Sequence, residues 1–219
     1  TAETPTLTEE EKKKIKKMVI ERVNGRIPIL LGVGGNNTRA IVETLKNDDF
    51  TGVDAILSVV PYYNKPSQEG IYQHYKAISE ATDLPIVLYN VPGRTGVNMK
   101  AETTLRIARD FKNVIAVKEA SGDITQMDDI IKNKPANFDV ISGDDGITFP
   151  LITLGAVGII SVIGNAFPRE FSRMVRLALQ GGLCQCIDHS PQICRIIQAS
   201  VCRRQPCRSK SHAECNGND

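Results

Sequence analysis

Apolar residues fall in short, nearly continuous runs along most of the chain, at 27–33, 55–60, 85–89, 114–117, 138–141 and 157–162. Runs of this length without polar alternation predict strands buried on both faces, as in a parallel sheet. Amphipathic stretches with helix-start signals lie between them. Thr8-Glu9-Glu10-Glu11 has the form of a capping box at the head of a long, lysine-rich helix. Ser67-Gln68-Glu69-Gly70 opens another helix, and Pro168-Arg169-Glu170 opens the last. The basic run at 12–17 reads as one solvated face of the first helix. Strands alternating with helices predict βα units joined by right-handed crossovers.

Polar and glycine-rich residues collect directly after these runs. They are Gly34-Gly35-Asn36-Asn37, Pro61-Tyr62-Tyr63-Asn64, Asn90-Val91-Pro92-Gly93-Arg94-Thr95, Lys118-Glu119 and Gly143-Asp144-Asp145. In parallel α/β folds the carboxyl ends of the strands carry the site. A barrel gathers several such ends into one mouth, whereas an open doubly wound sheet uses mainly one switch point. The spread over several strand ends therefore favours a barrel. A complete (β/α)8 barrel takes eight strands and about 250 residues. The fold class is accordingly α/β with six parallel strands and their helices, and the pattern favours a barrel over an open doubly wound sheet although only six strands are visible.

Three residues could carry chemistry. Lys118 ends the run Val114-Ile115-Ala116-Val117. A lysine there commonly just leaves the sheet for solvent. If it points into a barrel mouth, desolvation favours the neutral amine, which can attack a carbonyl and form a Schiff base. Tyr89 ends the preceding run. Such a tyrosine is ordinarily a packing residue with a wet hydroxyl, but a phenol beside an amine could also shuttle protons. Arg94, in a Pro-Gly turn, is either solvated or poised to grip a carboxylate through two parallel hydrogen bonds.

Other signals fail on inspection. Gly32-Val33-Gly34-Gly35-Asn36-Asn37 lacks the third glycine of a dinucleotide fingerprint and the Gly-Lys-Ser/Thr ending of a P-loop. Asp144-Asp145 reads as a turn and helix-cap pair rather than a metal site. His74 reads as a surface or interface residue. No His or Cys cluster that would point to a metal site occurs before residue 182.

Composition adds exclusions. The 219 residues are 41 % hydrophobic and 24 % charged with net charge +2, an ordinary soluble globular balance. No apolar run approaches the roughly 18 residues of a membrane-spanning helix. Thr1-Ala2-Glu3-Thr4-Pro5 lacks the basic and apolar regions of a secretory signal. We therefore expect a cytoplasmic protein with neither nucleic acid nor a membrane as partner. The distribution is uneven, however. All six cysteines lie within the last 36 residues, and no aromatic residue follows Phe171. Five of the 27 basic and three of the 25 acidic residues also lie beyond Gly181, which leaves 22 of each sign in residues 1–181.

Together, Tyr89-Asn90-Val91-Pro92-Gly93-Arg94-Thr95, Val117-Lys118-Glu119-Ala120-Ser121-Gly122 and Ser142-Gly143-Asp144-Asp145 resemble the dihydrodipicolinate synthase family. That family shares a superfamily with N-acetylneuraminate lyase. Residues 61–70 and Gly158-Ile159-Ile160-Ser161-Val162 are similar too, and the resemblance runs in order from Thr1 to Gly181. It implies a lyase that condenses pyruvate with aspartate-4-semialdehyde in lysine (diaminopimelate) biosynthesis, without a cofactor. Lys118 would form the Schiff base and Tyr89 would transfer protons beside it. Tyr63 would reach into the neighbouring subunit's site, so a homo-oligomer, a dimer or tetramer, is implied. Arg94 would hold the semialdehyde carboxylate, Ile160 would line the site through its backbone, and Thr1 would contact the pyruvate carboxylate. Sialic acid lyase-like members do not carry the Gly-Arg-Thr arrangement, because their second substrate lacks that carboxylate. Lys12 and Ala40 stand where lysine-sensitive members often have a histidine and a glutamate, which implies weak or absent lysine feedback.

The ends depart from the family. The chain starts inside its G-T-T-G-E motif, with Ala2 in place of the last glycine, so the resemblance implies a barrel lacking its first two strands and weak or no activity for this chain alone. Residues 182–219 read as a separate, irregular or disordered cysteine-containing tail. Their cysteines lack the paired spacing of a zinc site, and a disulfide scaffold would contradict the cytoplasmic character of the rest. A frameshift accounts for them better. With permitted codons, Gly182-Leu183-Cys184-Gln185-Cys186 reads one base later as D-Y-A-N-A, a natural continuation of the last helix. Val201 to Glu214 then reads as F-V-D-G-N-P-A-G-V-K-A-M-L-N, which resembles the family's segment after the barrel. The alternatives in function are another pyruvate-dependent Schiff-base lyase and a non-catalytic α/β binding module.

Overall fold

Six strands, all parallel, lie side by side in the order in which the chain makes them. They are β1 Leu30–Gly32, β2 Ala55–Val59, β3 Ile86–Asn90, β4 Val114–Glu119, β5 Asp139–Ser142 and β6 Gly158–Ile159. The helices are α1 Glu9–Val23, α2 Thr38–Asn47, α3 Gln68–Ser79, α4 Pro92–Thr95, α5 Ala101–Asp110, α6 Ile124–Asn133, α7 Thr148–Leu154 and α8 Pro168–Leu179. This computed structural model describes residues 3–181, in two units that divide the chain between Val162 and Ile163. The whole sheet belongs to the first unit, and it is the curled sheet of an incomplete TIM barrel. The second unit contributes a short 3-10 turn at Ile163–Asn165 and α8, whose buried positions are Phe171, Met174 and Ala178. Thr1 and the cysteine-containing stretch beyond Gly181 lie outside the described residues, as do the expectations placed on them.

The helix starts follow from local hydrogen bonding. At α1 both arms of the capping box form: the Glu11 amide donates to Thr8 Oγ1 at 3.2 Å, and the Thr8 amide donates to Glu11 Oε2 at 2.8 Å. Ser67 Oγ accepts from the Gly70 amide at 3.1 Å and starts α3, and Pro168 occupies the first turn of α8. Asn37, in the glycine-rich loop, proves to be the cap of α2. No residue of α1 is buried. Lys13, Lys14 and Lys17 of its lysine run are exposed, whereas Lys16 donates to the Asp49 carbonyl and lies over the Phe50 ring; Ile15, Met18 and Val19 on the same helix are exposed as well.

Apolar burial holds the sheet to its helices. Ile56, Leu88, Val117 and Val140 point outward and pack with Ile71 and Ile78 of α3, Leu105 and Ile107 of α5, and Ile130 of α6. Each such side chain contributes about 1.5–3 kcal/mol when fully buried. The outer strands are shorter than their apolar runs. β1 covers only 30–32 of the run at 27–33, and β6 only 158–159 of the run at 157–162. Each has one paired neighbour among the described strands, so fewer backbone groups join a ladder.

Strand β4 contains an irregularity that the apolar run did not reveal. Ile86 pairs with Val114, but the next residue, Val87, pairs with Ala116, so Ile115 has no partner on β3. This is a β-bulge, and it inverts the in–out alternation downstream. Val114 and Val117 both join the layer beneath the helices, while Lys118 takes the opposite face.

His74 is not at the surface. Helix α3 turns it inward with Ile71, Tyr75 and Ile78, and only 3 % of it is accessible. Its Nδ1 shares a 2.8 Å hydrogen bond with Thr38 Oγ1, its Nε2 is buried without a partner, and its ring meets Tyr75 edge-on. The helical phase of α3 decides the face: His74 lies on the buried stripe with Ile71, Tyr75 and Ile78. Among the described residues no helix is long and apolar enough to cross a membrane.

Burial pushes the His74 pKa from 6.5 down to about 4. An unfolded chain therefore takes up this proton first as pH falls. The stability present above pH 6.5 should be lost progressively down to about pH 4, by on the order of 3 kcal/mol. Urea unfolding of the wild type and His74→Gln across this range checks it. The variant should show a flatter pH dependence, and parallel curves would contradict the assignment.

Candidate active site

Register brings the chemistry to one level of the sheet. Val59, Tyr89, Lys118, Ile141 and Gly158 align across five strands. The next level, Asn90, Glu119, Ser142 and Ile159, follows one residue later and faces the other way. Tyr89 and Lys118 are therefore neighbours on the sheet face away from the helices. Lys118 Nζ lies 4.1 Å from the centroid of the Tyr89 ring. The lysine is only 8 % exposed. Burial pushes its pKa below the ordinary lysine value, Asp145 opposes that shift and Arg94 reinforces it. Burial raises the Tyr89 phenol, against a smaller opposing effect of Arg94. The pair thus combines an amine biased toward its neutral, nucleophilic form with a phenol that keeps its proton near neutral pH.

The one-turn helix α4 carries Arg94. Pro92 presets its first turn, and Gly96 closes it at φ 74°, where a side chain would be strained. The buried Thr95 hydroxyl bonds the Val91 carbonyl at 3.2 Å and the Val97 carbonyl at 2.9 Å. The turn is fastened below while Arg94 stays exposed beside the Tyr89–Lys118 pair, whose titrations its charge affects. A solvated guanidinium near an amine is a fitting receptor for a carboxylate.

Tyr63 is placed differently. It sits in the loop after β2, is 88 % exposed, and adopts φ 72°. A tyrosine in the left-handed region is uncommon and strained. The Asn64 amide donates to the Tyr62 carbonyl at 2.9 Å, and Asn64 Nδ2 donates to the Asn36 carbonyl at 3.2 Å. Ile160 follows β6 directly. It is half-buried, and its amide donates to the Ser142 carbonyl at 3.0 Å.

Three residues near Lys118 were given no part in the site by the sequence. Gly143 brings β5 so close that a Cβ there would stand 2.7 Å from Ala120 Cβ and 3.1 Å from Lys118 Cε. Asp144 behaves as the expected turn residue, accepting from the Gly146 amide at 2.8 Å. Asp145 instead reaches the end of β6, taking the Ser161 hydroxyl on Oδ1 and the Val162 amide on Oδ2. Glu119 is wholly buried on the helix side. The sequence shows an acid close behind an apolar run in each case, but not which one folds inward. Among the described residues no three metal-ligating side chains converge.

The chain is 85 % identical over 187 residues to a 4-hydroxy-tetrahydrodipicolinate synthase of Phocaeicola vulgatus, covering 85 % of this chain and 63 % of that protein. It is 84 % identical over 192 residues to the enzyme of the same name from Parabacteroides distasonis, covering 87 % of this chain and 65 % of that one. The chain thus spans somewhat less than two thirds of the length of these relatives. A crystal structure of the chloride-inhibited dihydrodipicolinate synthase of Acinetobacter baumannii in complex with pyruvate superposes with a TM-score of 0.87 at 41 % identity, covering 93 % of this chain and 70 % of that one. The sequence profile of the dihydrodipicolinate synthetase family matches residues 1–219, and the chain belongs to that family.

Proposed function

We propose that the protein to which this chain corresponds is a Schiff-base lyase that condenses pyruvate with aspartate-4-semialdehyde. The observation that carries this reading is the buried Lys118 amine held over Tyr89 at the carboxyl end of a parallel strand. The neutral amine adds to the pyruvate ketone, and loss of water leaves an imine. Protonation of the imine nitrogen makes it an electron sink, so a methyl proton can leave and an enamine forms. The enamine carbon then attacks the aldehyde, and the amino group of the second substrate displaces Lys118. Tyr89, protonated, is the donor for water leaving during imine formation.

Arg94 takes the carboxylate of the second substrate. That role separates this reading from a lyase acting on a polyol partner. Exposure and a strained backbone at Tyr63 suit a residue that completes the site of a neighbouring copy, so a homo-oligomer is the working form. Thr1 is assigned to the pyruvate carboxylate, and Ile160 lines the site through its backbone. For the cysteine-containing tail we infer a shifted reading frame, which the encoding DNA tests. Stop codons or an unrelated translation in the shifted frame would end it.

Borohydride trapping tests the main reading. With pyruvate, the folded chain should gain one reduced pyruvate adduct at Lys118, and Lys118→Ala should gain none. The trapping rate should rise with pH to a midpoint below the ordinary lysine value of 10.5. A folded wild type without adduct would reject the assignment.

Gly143→Ala should slow trapping by about tenfold or more, because the new methyl displaces Lys118 or the strand. Unchanged trapping would show that the close approach is irrelevant to the amine.

Lys12 and Ala40 both line a groove beside α1 and β1. With no carboxylate at position 40 to meet an ammonium group, free lysine should bind weakly or not at all. Titration calorimetry with lysine checks this, and low-micromolar binding would contradict it.

A further inference from the structure

Behind the Lys118–Tyr89 pair, on the opposite face of the same two strands, lies a polar network in an otherwise apolar layer. Glu119 is 0 % exposed, and so is Asn90, its partner in register. Asn90 Nδ2 donates to both Glu119 oxygens, at 3.1 and 3.0 Å. The Ser121 amide donates to Oε1 at 2.8 Å, and Gln126 Nε2 on α6 donates to Oε2 at 3.2 Å. Asn90 is fastened in turn. It donates to Asn98 Oδ1 at 2.8 Å and accepts from the Met99 amide at 3.0 Å. Gln126 and Asn98 are also bonded, at 2.8 Å.

Every hydrogen bond to the Glu119 carboxylate comes from a neutral donor, and none of these partners carries a charge. A buried carboxylate without a cation is costly and is tolerated where its hydrogen bonds are complete. The cost is placed one residue from Lys118 on β4 and, through Asn90, one residue from Tyr89 on β3. The main chain repeats the link. The Ala120 amide donates to the Asn90 carbonyl at 2.9 Å, and the Gly143 amide donates to the Glu119 carbonyl at 2.7 Å.

We propose that Glu119 is a positioning residue: its bonds to Asn90, Ser121 and Gln126 clamp the ends of β3 and β4 from the helix side and so hold the Lys118 amine over Tyr89 on the other. The proposal rests on Lys118 being the reactive amine. The charged or titratable groups that act on that amine are Tyr89 on β3, Arg94 on α4 and Asp145 after β5. Glu119 therefore acts through strand geometry. In Glu119→Gln the new amide must point a donor at one of three existing donors, so the clamp loosens while volume is kept.

The test uses the full chain and two readouts. Competitive labelling with acetic anhydride across pH, read by mass spectrometry at Lys118, gives the amine's own midpoint without any substrate. Borohydride trapping gives the maximal rate and the half-saturating pyruvate concentration. Glu119→Gln should move the labelling midpoint up toward the ordinary lysine value and cut the maximal trapping rate by about tenfold or more. Half-saturation should shift by less than about threefold, since pyruvate does not touch Glu119.

A network at the amino end of the same strand serves as control. Asn113 Nδ2 donates to the Ser79 and Thr82 carbonyls at 3.1 and 2.8 Å, and Oδ1 accepts from Ser79 Oγ at 2.6 Å. Asn113→Ala should lower the melting temperature and leave both readouts unchanged. If Glu119→Gln does not fold, Gln126→Ala removes one donor and should shift the labelling midpoint in the same direction by less. An unchanged midpoint and trapping rate in a folded Glu119 or Gln126 variant would overturn the proposal, as would equal effects from Asn113→Ala. A wild type that labels at Lys118 with a lowered midpoint yet never traps pyruvate would sink the proposed reaction, while the labelling shift still decides the clamp.

Discussion

Val114 and Val117 both pack beneath the helices, although a regular strand would put residues three apart on opposite faces. The unpaired Ile115 reconciles them. Everything chemical about β4 depends on that extra residue. In the phase set by Val114 alone, Lys118 would point into the apolar layer under the helices. An ammonium there would meet Ile and Leu side chains instead of a tyrosine ring, at a cost of several kcal/mol unless it were neutralised or paired. With the bulge, the lysine faces the side where substrates could reach it, and Glu119 takes the buried side with its donors ready. One irregular step thus assigns opposite environments to adjacent charged residues.

The two environments work by different physics. On the Lys118 face, partial desolvation and the nearby guanidinium weaken the charged form of the amine, and Asp145 restrains the shift. On the Glu119 face, burial raises the carboxyl pKa, while Asn90, Ser121 and Gln126 pull it back. Hydrogen bonds from neutral groups cannot stand in for lost water unless they are rigid, which explains why Asn98 and Met99 secure the Asn90 amide in turn.

Much of this was legible in the sequence, for identifiable reasons. Continuous apolar runs gave away the parallel strands, because both faces of such strands are covered. Thr8, Ser67 and Pro168 marked helix starts, because capping is a local matter between residues three apart. Lys118, Tyr89 and Arg94 stood out because polar residues directly after buried strands have few structural excuses. What escaped notice depends on partners distant in sequence. Ile115 looks like any other strand residue until β3 is laid beside it. His74 carries a polar label but sits on the inward stripe of α3. Glu119 and Asp145 are both acids that follow an apolar run, and only the packing of α6 and β6 separates their roles. Gly143 looks like an ordinary turn residue, and only the nearness of the Lys118 side chain shows what its missing methyl permits.

The strictly sequential strand order also constrains how the molecule can assemble. Each ladder joins a strand only to its immediate successor, so closing it requires ordering only the one or two intervening helices and their loops. No strand must wait for a remote segment before it can dock. Growth can proceed along the sheet by adding one unit at a time to an existing edge, in the order in which a ribosome releases them. On such a route the Lys118–Tyr89 contact and the Glu119–Asn90 bonds form in a single docking step, when β4 meets β3. The reactive pair and its support are then acquired together, before β5 and β6 have joined.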